Sequence, residues 1–176
     1  SLQAGIRYVK VLSTADQANF MKSRYGYKVP EPDHDLVNVE SGSPMGELLR
    51  RYWQPACLSE ELNDLPYKIR ILCEDLVLFR DGQGRVGCLD PHCAHRGTSL
   101  EYGRVEERGL RCCYHGWLYD TEGRCIEMPC ERPEFTEKMD VWQPAYPVYE
   151  YGGLVFLYMG PPEIKPLFPM FDILDT

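Results

Sequence analysis

The sequence predicts a mainly β protein, built as a small antiparallel β-sandwich or barrel with short N-terminal helices. The chain of 176 residues has the length of one ordinary domain, and 44% of its residues are hydrophobic, which is enough for a buried core. Strand-like segments recur at short intervals from Tyr67 onward, separated by turns that contain glycine. The 15 glycines and 14 prolines also favour a fold rich in turns and loops.

Helix signals are confined to the part of the chain before the first predicted strand. Ser13 and Thr14 can cap a short helix that ends near Tyr25. The prolines of YKVPEPDHD, residues 27–35, are predicted to interrupt regular structure. A second helix starts at Ser43, with a proline in its first turn. It runs to about Tyr52, and its apolar face, predicted to pack against the domain, comprises Met45, Leu48, Leu49 and Tyr52.

The strand predictions follow from the alternation of apolar and polar residues. The segments YKIRILC, EDLVLFR and RVGCLD, within residues 67–90, are predicted to be three successive strands. The turn at Asp81–Gly84 joins the second of these strands to the third. Three further hairpins are predicted, in RVEERGLRC around Glu107–Gly109, in GWLYDTEGRCIEM around Asp120–Gly123 and in VYEYGGLVFLYMG around Gly152–Gly153.

Composition excludes several classes of partner. The 27 acidic residues outnumber the 19 basic residues and give a net charge of −8, which disfavours binding to nucleic acid or to anionic membranes. No apolar run approaches the roughly 20 residues that span a bilayer, and SLQAGIRYVK lacks the apolar centre of a signal peptide. We therefore expect a soluble, cytoplasmic protein with no nucleic-acid partner and no membrane partner.

Cysteine and histidine residues cluster in the middle of the chain and indicate a metal site. The chain has eight cysteines and four histidines, and without an export signal the clustered cysteines are better explained as metal ligands than as disulfides. Residues 91–117, PHCAHRGTSLEYGRVEERGLRCCYHGW, contain Cys93-x-His95 and Cys112-x-x-His115. Two thiolates and two neutral imidazoles suit either zinc or an iron–sulfur cluster.

The placement of glycine favours the iron–sulfur cluster. Gly97 and Gly116 closely follow the two histidines, and glycine lets backbone N–H groups turn towards bridging sulfides, which need hydrogen-bond donors. A zinc ion has no sulfides to satisfy, and C-x-H spacing is uncommon in structural zinc sites. A zinc-stabilised binding module stays an alternative.

At these residues the sequence resembles the Rieske proteins, whose pattern is C-x-H followed by C-x-x-H. In the form C-x-H-R-G … C-x-Y-H-G-W, it is similar to the Rieske domain of ring-hydroxylating (Rieske non-haem iron) oxygenases. SGSPMGELLRRYWQPA, residues 41–56, and GGLVFLYMGPPE, residues 152–163, resemble segments that flank this domain in phthalate dioxygenase-like oxygenase components. Cys113 departs from the family pattern, which usually has proline at that position.

The resemblance implies a Rieske-type β-sandwich with a cluster-binding subdomain that holds a Rieske-type [2Fe–2S] cluster. Cys93 and Cys112 would bind one iron, and His95 and His115 the other. These four residues are the predicted metal and cofactor ligands, and no catalytic residue is predicted in this chain. The implied organisation is an N-terminal extension with a short helix at 1–42, the Rieske domain at 43–160, and a proline-rich linker at 161–176 toward an absent catalytic domain.

The implied function is one-electron transfer by the N-terminal domain of an aromatic-ring-hydroxylating oxygenase. An NAD(P)H-dependent reductase or a ferredoxin would donate the electron, and a mononuclear Fe(II) in the absent catalytic domain would receive it. Such an iron needs two histidines and a carboxylate, and only His34 and His92 remain in this chain. A neighbouring oxygenase subunit, in a homotrimer of the full-length protein, is the other implied partner. A stand-alone Rieske-type ferredoxin is an alternative function.

The remaining residues of interest have structural interpretations. Trp117 is predicted to pack over the cluster and exclude water, His92 to lie in a loop near the cluster, and His34 to be solvated. Five cysteines outside the pattern are predicted to be buried thiols, namely Cys57, Cys73, Cys88, Cys125 and Cys130.

The resemblance also bears on the reduction potential. High-potential Rieske proteins of respiratory complexes carry a disulfide between the two cluster loops and a serine hydroxyl that donates to a bridging sulfide. Here Thr98 and Tyr114 stand in place of the two disulfide cysteines, and Trp117 stands in place of the serine. The potential is therefore expected near the low end of the Rieske range, about −150 mV.

Overall fold

Ten antiparallel strands in three sheets form the body of the structure, a computed structural model that describes residues 30–170 and 172. The strands are β1 Gln54–Leu58, β2 Tyr67–Ile71, β3 Glu74–Arg80, β4 Val86–Leu89, β5 Arg104–Glu106, β6 Gly109–Arg111, β7 Leu118–Tyr119, β8 Cys125–Glu127, β9 Val148–Tyr151 and β10 Leu154–Leu157. The sheets have the orders β1–β10–β9, β2–β3–β4 and β5–β6–β7–β8, which confirms the predicted mainly β, antiparallel class. The chain divides between Val37 and Asn38 into two units, and the described strands all belong to the second.

Strand β3 is central because its alternate side chains enter two different cores. Val77 and Phe79 are fully buried in one core, which also contains side chains from the third sheet. Leu76 and Leu78 point the other way and are buried with residues of the first sheet, such as Val155. Burying a side chain of this size contributes about 1.5–3 kcal/mol. Strand β3 therefore contributes side chains to both cores and separates them.

The predicted hairpins form at the positions of the glycine-containing turns. At the end of β3, the Asp81 carboxylate accepts hydrogen bonds from the backbone N–H groups of Gln83 and Arg85 and fixes the turn into β4. The hairpins β5–β6, β7–β8 and β9–β10 likewise form at their predicted turns. Strand β1 is missing from the prediction, and Pro55 explains why. A proline lacks the N–H that a ladder needs, and β1 tolerates it as an edge strand of its sheet.

Three short helices accompany the strands within the described residues: α1 His34–Val37, α2 Pro44–Arg50 and α3 Pro133–Met139. Helix α2 starts as predicted, with the Ser43 hydroxyl oxygen accepting the N–H of Gly46 at 3.2 Å, but it ends at Arg50. The prediction that its apolar face packs against the domain is wrong for Leu48 and Tyr52, which are 48% and 59% exposed. Gly46 and Arg50 are its buried residues instead.

The other helices were not predicted. Helix α1 begins within residues 27–35, where prolines were expected to interrupt regular structure, and Asp33 caps it through its side chain and its carbonyl group. Helix α3 starts with a proline at its first turn. The helix predicted from Ser13 and Thr14 lies outside the described residues. None of the helices that the structure describes is long and apolar enough to cross a membrane.

The β2–β3 hairpin turns through two non-glycine residues with positive φ, Leu72 at 46° and Cys73 at 66°. Side chains are disfavoured in this left-handed region, and glycine or asparagine usually occupies such turns. The buried Arg50 holds the turn by donating to the carbonyl of Leu72 at 2.8 Å while it pairs with Glu74. The turn therefore stores backbone strain that these contacts offset.

The proline-rich segment after β10 is attached to the first sheet through an aromatic side chain. The ring of Phe168 stacks on that of Tyr149, with centroids 4.2 Å apart, and meets the edge of Trp53. The indole N–H of Trp53 donates to the carbonyl of Pro166 at 3.1 Å. Within the predicted linker, Pro166 and Phe168 thus contact the domain.

Candidate metal centre

Two loops bring the four predicted ligands to one region of the domain. The first loop follows β4 and contains Cys93 and His95, and the second joins β6 to β7 and contains Cys112 and His115. Both cysteines belong to the same buried core cluster as Val77 and Phe79 of β3. The strands therefore fix where each loop begins.

The two loops share one pattern of backbone hydrogen bonds. In the first loop, the N–H of Cys93 donates to the carbonyl of Thr98 at 3.0 Å, and the carbonyl of Cys93 accepts the N–H of Gly97 at 2.7 Å. The second loop repeats both bonds around Cys112, at 2.8 and 3.1 Å. Each cysteine is thus locked at the start of a tight turn, and its neighbouring histidine projects from that turn.

Glycine closes each turn because the backbone is left-handed there. Gly97 has φ 69° and Gly116 has φ 74°, a conformation that residues with a Cβ rarely adopt. A Cβ at Gly116 would also lie 3.1 Å from the ring of Pro129. In the second loop, the N–H groups of Tyr114 and His115 are directed at the sulfur of Cys112.

Cys93 and Cys112 form a buried pair. Each residue is 3% exposed, and the two thiols lie within hydrogen-bonding reach of each other. Burial raises the pKa of the Cys112 thiol, and the neighbouring Cys93 raises it further, whereas the N–H groups of Tyr114 and His115 oppose the rise. Thiols in this position lose their protons when a metal cation compensates the negative charge, so metal binding releases protons.

The two histidines also lie together, with ring centroids 4.6 Å apart. The indole of Trp117 stacks on the ring of His95 at 4.4 Å and 4°. The Nδ1 atom of His95 is buried and has no hydrogen-bond partner among the described residues. Burial lowers the pKa of His95, and the proximity of His115 and Arg96 lowers it further. His95 therefore favours the neutral imidazole, which is the form that binds a metal.

Comparison with known proteins identifies the family. Residues 52–150, more than half of the chain, match the Rieske [2Fe–2S] domain. The chain belongs to the Rieske [2Fe–2S] domain family. The cofactor of a Rieske domain is a [2Fe–2S] cluster, as the resemblance to the Rieske proteins implied.

The relatives of this Rieske domain are parts of oxygenases. Phenoxybenzoate dioxygenase subunit alpha of Ectopseudomonas oleovorans is 56% identical over 153 residues, covering 87% of this chain and 37% of the relative. The phthalate 4,5-dioxygenase oxygenase subunit of Pseudomonas putida is 46% identical over 142 residues, covering 79% of this chain and 32% of the relative. The crystal structure of dicamba monooxygenase bound to dicamba superposes with a TM-score of 0.63 at 30% identity, covering 72% of this chain and 40% of that one.

This Rieske domain therefore spans about a third of the length of those two curated relatives and corresponds to their N-terminal part. The structural match agrees with the predicted Rieske-type sandwich.

The donor set of the Rieske domain fits its cluster. Two buried thiols lie together and two imidazoles lie together, as expected when one iron takes two cysteines and the other takes two histidines. Within residues 30–170 and 172, no three His, Cys, Asp or Glu side chains gather as ligands of a single ion. An iron bond would also satisfy the otherwise unpartnered Nδ1 of His95.

Tyr119, which was not predicted as a site residue, contacts a predicted ligand through its side chain. Tyr119 is fully buried, and its hydroxyl oxygen lies 3.1 Å from the sulfur of Cys93. Burial raises the pKa of the Tyr119 phenol, and the hydrogen bond to Cys93 adds to the rise, so the phenol stays protonated. No motif marks this tyrosine, because the sequence shows only a strand residue after the second loop.

Arg111, which was also not predicted as a site residue, binds the backbone of the second loop. Its guanidinium donates to the carbonyl of Gly116, and it forms ion pairs with Glu106 at 2.7 Å and with Glu127 at 2.6 Å. These contacts raise the pKa of Arg111, so the cation is permanent. The arginine stabilises the loop through its charge-assisted bonds.

The predictions for the other cysteines and histidines have mixed outcomes. Cys73 and Cys130 were expected to be buried thiols, which is wrong, because each lies exposed next to a strand or a turn. His92 lies in the first loop as predicted, and His34 is exposed. The cysteines confirmed as buried or half-buried are Cys57, Cys88 and Cys125.

Proposed function

We propose that this chain is the electron-entry domain of a ring-hydroxylating oxygenase, with Cys93 and Cys112 binding one iron of its [2Fe–2S] cluster and His95 and His115 binding the other. The observation that carries the ligand assignment is the pair of matching loops, which hold two buried thiols together and two imidazoles together. The chemistry of these donors supports the electron-entry role. Imidazoles in place of two thiolates raise the reduction potential above that of an all-cysteine cluster, so the cluster accepts an electron more readily.

The residues around the ligands prepare the site for electron transfer. When bound, the cluster accepts one electron and passes it on. The burial of both cysteines and the indole of Trp117, stacked on His95, exclude water from the site. With Cys93 bound to iron as a thiolate, the hydroxyl of Tyr119, 3.1 Å away, would donate to its sulfur and stabilise negative charge there. His115 is only half-buried, so the histidine side of the site offers the electron a short route to a partner.

The whole protein is proposed to hydroxylate an aromatic substrate at a mononuclear Fe(II) outside this chain. The mononuclear Fe(II) follows from the family resemblance. The oxygenation of an aromatic substrate extends to the chain what the names of the phenoxybenzoate and phthalate dioxygenase subunits say of those relatives, which are 56% and 46% identical to it over the shared part. A reductase or ferredoxin carrying NAD(P)H-derived electrons, and a neighbouring oxygenase subunit in a trimer, are the proposed partners. Thiol ligands favour a reducing compartment, so the cytoplasm is the proposed location. The proposed organisation of the chain is an N-terminal extension at 1–42, the Rieske domain at 43–160 and a linker at 161–176.

The ligand assignment is tested by metal analysis of the purified chain. It should be reddish-brown, with about two iron atoms and about two acid-labile sulfides per molecule. Replacing His95 or His115 with alanine should remove or destabilise the cluster, whereas Cys57→Ser and Cys130→Ser should leave the visible spectrum unchanged. Colourless protein with stoichiometric zinc and no sulfide would contradict the proposal.

The electron-entry role is tested by separating reduction from oxygenation. With a suitable reductase and NADH, the visible spectrum of the chain should change to that of the reduced cluster. A panel of aromatic acids added under air should yield no hydroxylated product. Product whose amount rises with added ferrous iron would show that this chain contains the oxygen-activating site.

A further inference from the structure

Gln143 is a buried polar residue that contacts the first metal-site loop from outside it. The residue is 1% exposed and lies in the segment between α3 and β9, far from the loop in sequence. An amide is costly to bury unless its oxygen and nitrogen are hydrogen-bonded. The bonds of this side chain therefore explain why the core accepts it.

The side chain of Gln143 binds the backbone on both sides of Cys93. Its Oε1 atom accepts the N–H of Ala94 at 2.7 Å. Its Nε2 group donates to the carbonyls of Asp90 and His92, both at 2.9 Å. One amide thus uses one acceptor and two donors on a stretch that ends directly before His95.

The segment that carries Gln143 is itself fixed. The backbone N–H of Gln143 donates to the carbonyl of Gly123 at 2.7 Å, and a side chain at Gly123 would collide with the carbonyl oxygen of Gln143. The next residue, Pro144, accepts the N–H of Asp90 at 2.9 Å. Gln143 therefore links the turn between β7 and β8 to the first loop through hydrogen bonds at both its backbone and its side chain.

The two loops differ in what holds them. The second loop is supported by Arg111, which bonds to the carbonyl of Gly116 and is paired with two glutamates. The first loop has its own two backbone bonds around Cys93 and, in addition, the three bonds from Gln143. The first loop is therefore held by neutral hydrogen bonds from a side chain, whereas the second loop is held by an arginine in ion pairs.

We propose that Gln143 is a positioning residue that holds Cys93 and His95 in the geometry for binding the cluster. The inference rests on the proposed cluster ligation. An amide is required because it combines one acceptor with two donors. Glutamate keeps the acceptor, loses both donors and adds a buried charge, and leucine keeps only the volume.

The test compares Gln143→Leu, Gln143→Glu and Gln143→Asn with Gln54→Leu as the matched control. Gln54 also donates its side-chain amide to backbone carbonyls, those of Leu49 and Tyr52, but these lie outside the metal-site loops. The measurements are the rate at which an iron chelator bleaches the visible absorption, the midpoint potential, and the electron paramagnetic resonance spectrum of the dithionite-reduced chain.

Gln143→Leu should lose the cluster about 10- to 100-fold faster, as is usual when a residue that orients metal ligands is removed. Where the cluster is retained, its resonance spectrum should broaden or shift, and Gln143→Glu should lower the midpoint potential. Gln143→Asn folds with the least disturbance and, being too short for all three bonds, should fall between the unmodified chain and Gln143→Leu. Gln54→Leu should change neither spectrum nor potential.

The inference is overturned if Gln143→Leu and Gln143→Asn, both with a full cluster, keep the release rate, spectrum and potential of the unmodified chain. A loss of thermal stability without any change in the retained cluster's spectrum or potential would also overturn it, because that pattern marks a purely structural role. Absence of a cluster from the unmodified chain would instead refute the proposed function.

Discussion

Replacing Tyr119 with phenylalanine removes one hydroxyl from the metal site and nothing else. The hydroxyl oxygen lies 3.1 Å from the sulfur of Cys93 in a region where Tyr119 is fully buried. If Cys93 binds iron as proposed, its thiolate carries no proton, so the phenol would be the donor in the loaded protein. Its raised pKa keeps it protonated throughout the neutral range. The ring of phenylalanine fills the same space, so the change isolates the hydrogen bond.

The magnitude follows from the part of this bond that depends on the oxidation state. A hydrogen bond to a charged acceptor contributes roughly 1.5–3 kcal/mol, and the reduced cluster, being more negative, gains more from the donor than the oxidised cluster. A difference of about 1 kcal/mol between the two states corresponds to about 40 mV for one electron. Tyr119→Phe should therefore lower the midpoint potential by about 40 mV.

The assay is a redox titration at neutral pH, monitored by visible absorption or circular dichroism. Tyr158→Phe is the matched control, because Tyr158 is equally buried but its hydroxyl donates to the carbonyl of Pro161 at 2.8 Å. The control should keep the potential of the unmodified chain. A Tyr119→Phe protein with a complete cluster and an unchanged or higher potential would refute the reasoning.

Three further predictions concern the potential, the strained turn and an acidic side chain. The midpoint potential of the unmodified chain should lie near the low end of the Rieske range, about −150 mV, and a value well above zero would contradict this. Replacing Leu72 by asparagine together with Cys73 by glycine should raise the free energy of unfolding by about 1 kcal/mol, because both residues have positive φ; an unchanged urea midpoint would argue against strain in this turn. The hydrogen bond from Arg111 lowers the pKa of Glu106 from 4.5 to about 2, so its stabilisation is present above pH 4.5 and is lost as the pH falls towards 2. Glu106→Gln should cost about 1–2 kcal/mol at pH 7 after allowance for solvent, and its difference from the unmodified chain should shrink in urea titrations below pH 4.5.

The predictable part of the site is the part encoded by neighbours in sequence. Each cysteine, its histidine and the closing glycine lie within one short loop, and the backbone bonds that shape the loop join residues of that same loop. Turn chemistry of this kind depends on residue type and spacing, which a sequence displays directly. The same reason explains why the hairpins around Asp81, Asp120 and Gly152 were predicted at their positions, whereas the edge strand that contains Pro55 was not.

The unpredictable part depends on partners that are distant in sequence. Gln143 bonds to Ala94, 49 residues away, and Tyr119 contacts Cys93, 26 residues away. Such pairings depend on which face of a strand a side chain occupies, and successive residues of a regular strand occupy opposite faces. Leu118 and Tyr119 are both buried, at 2% and 0% exposure, but only Tyr119 belongs to the core that contains Cys93 and Cys112.

The direction of its side chain into this core is what makes Tyr119 available to the proposed metal site. Alternation along a strand sends the side chains of Leu118 and Tyr119 to opposite faces, and the sequence does not reveal which of the two faces the cysteines. The second loop thus places its own proposed ligands through local turn chemistry, while β7, the strand that follows it, brings the hydroxyl of Tyr119 to the cysteine of the first loop. The properties of the site consequently depend on the packing of the third sheet as much as on the ligand motif.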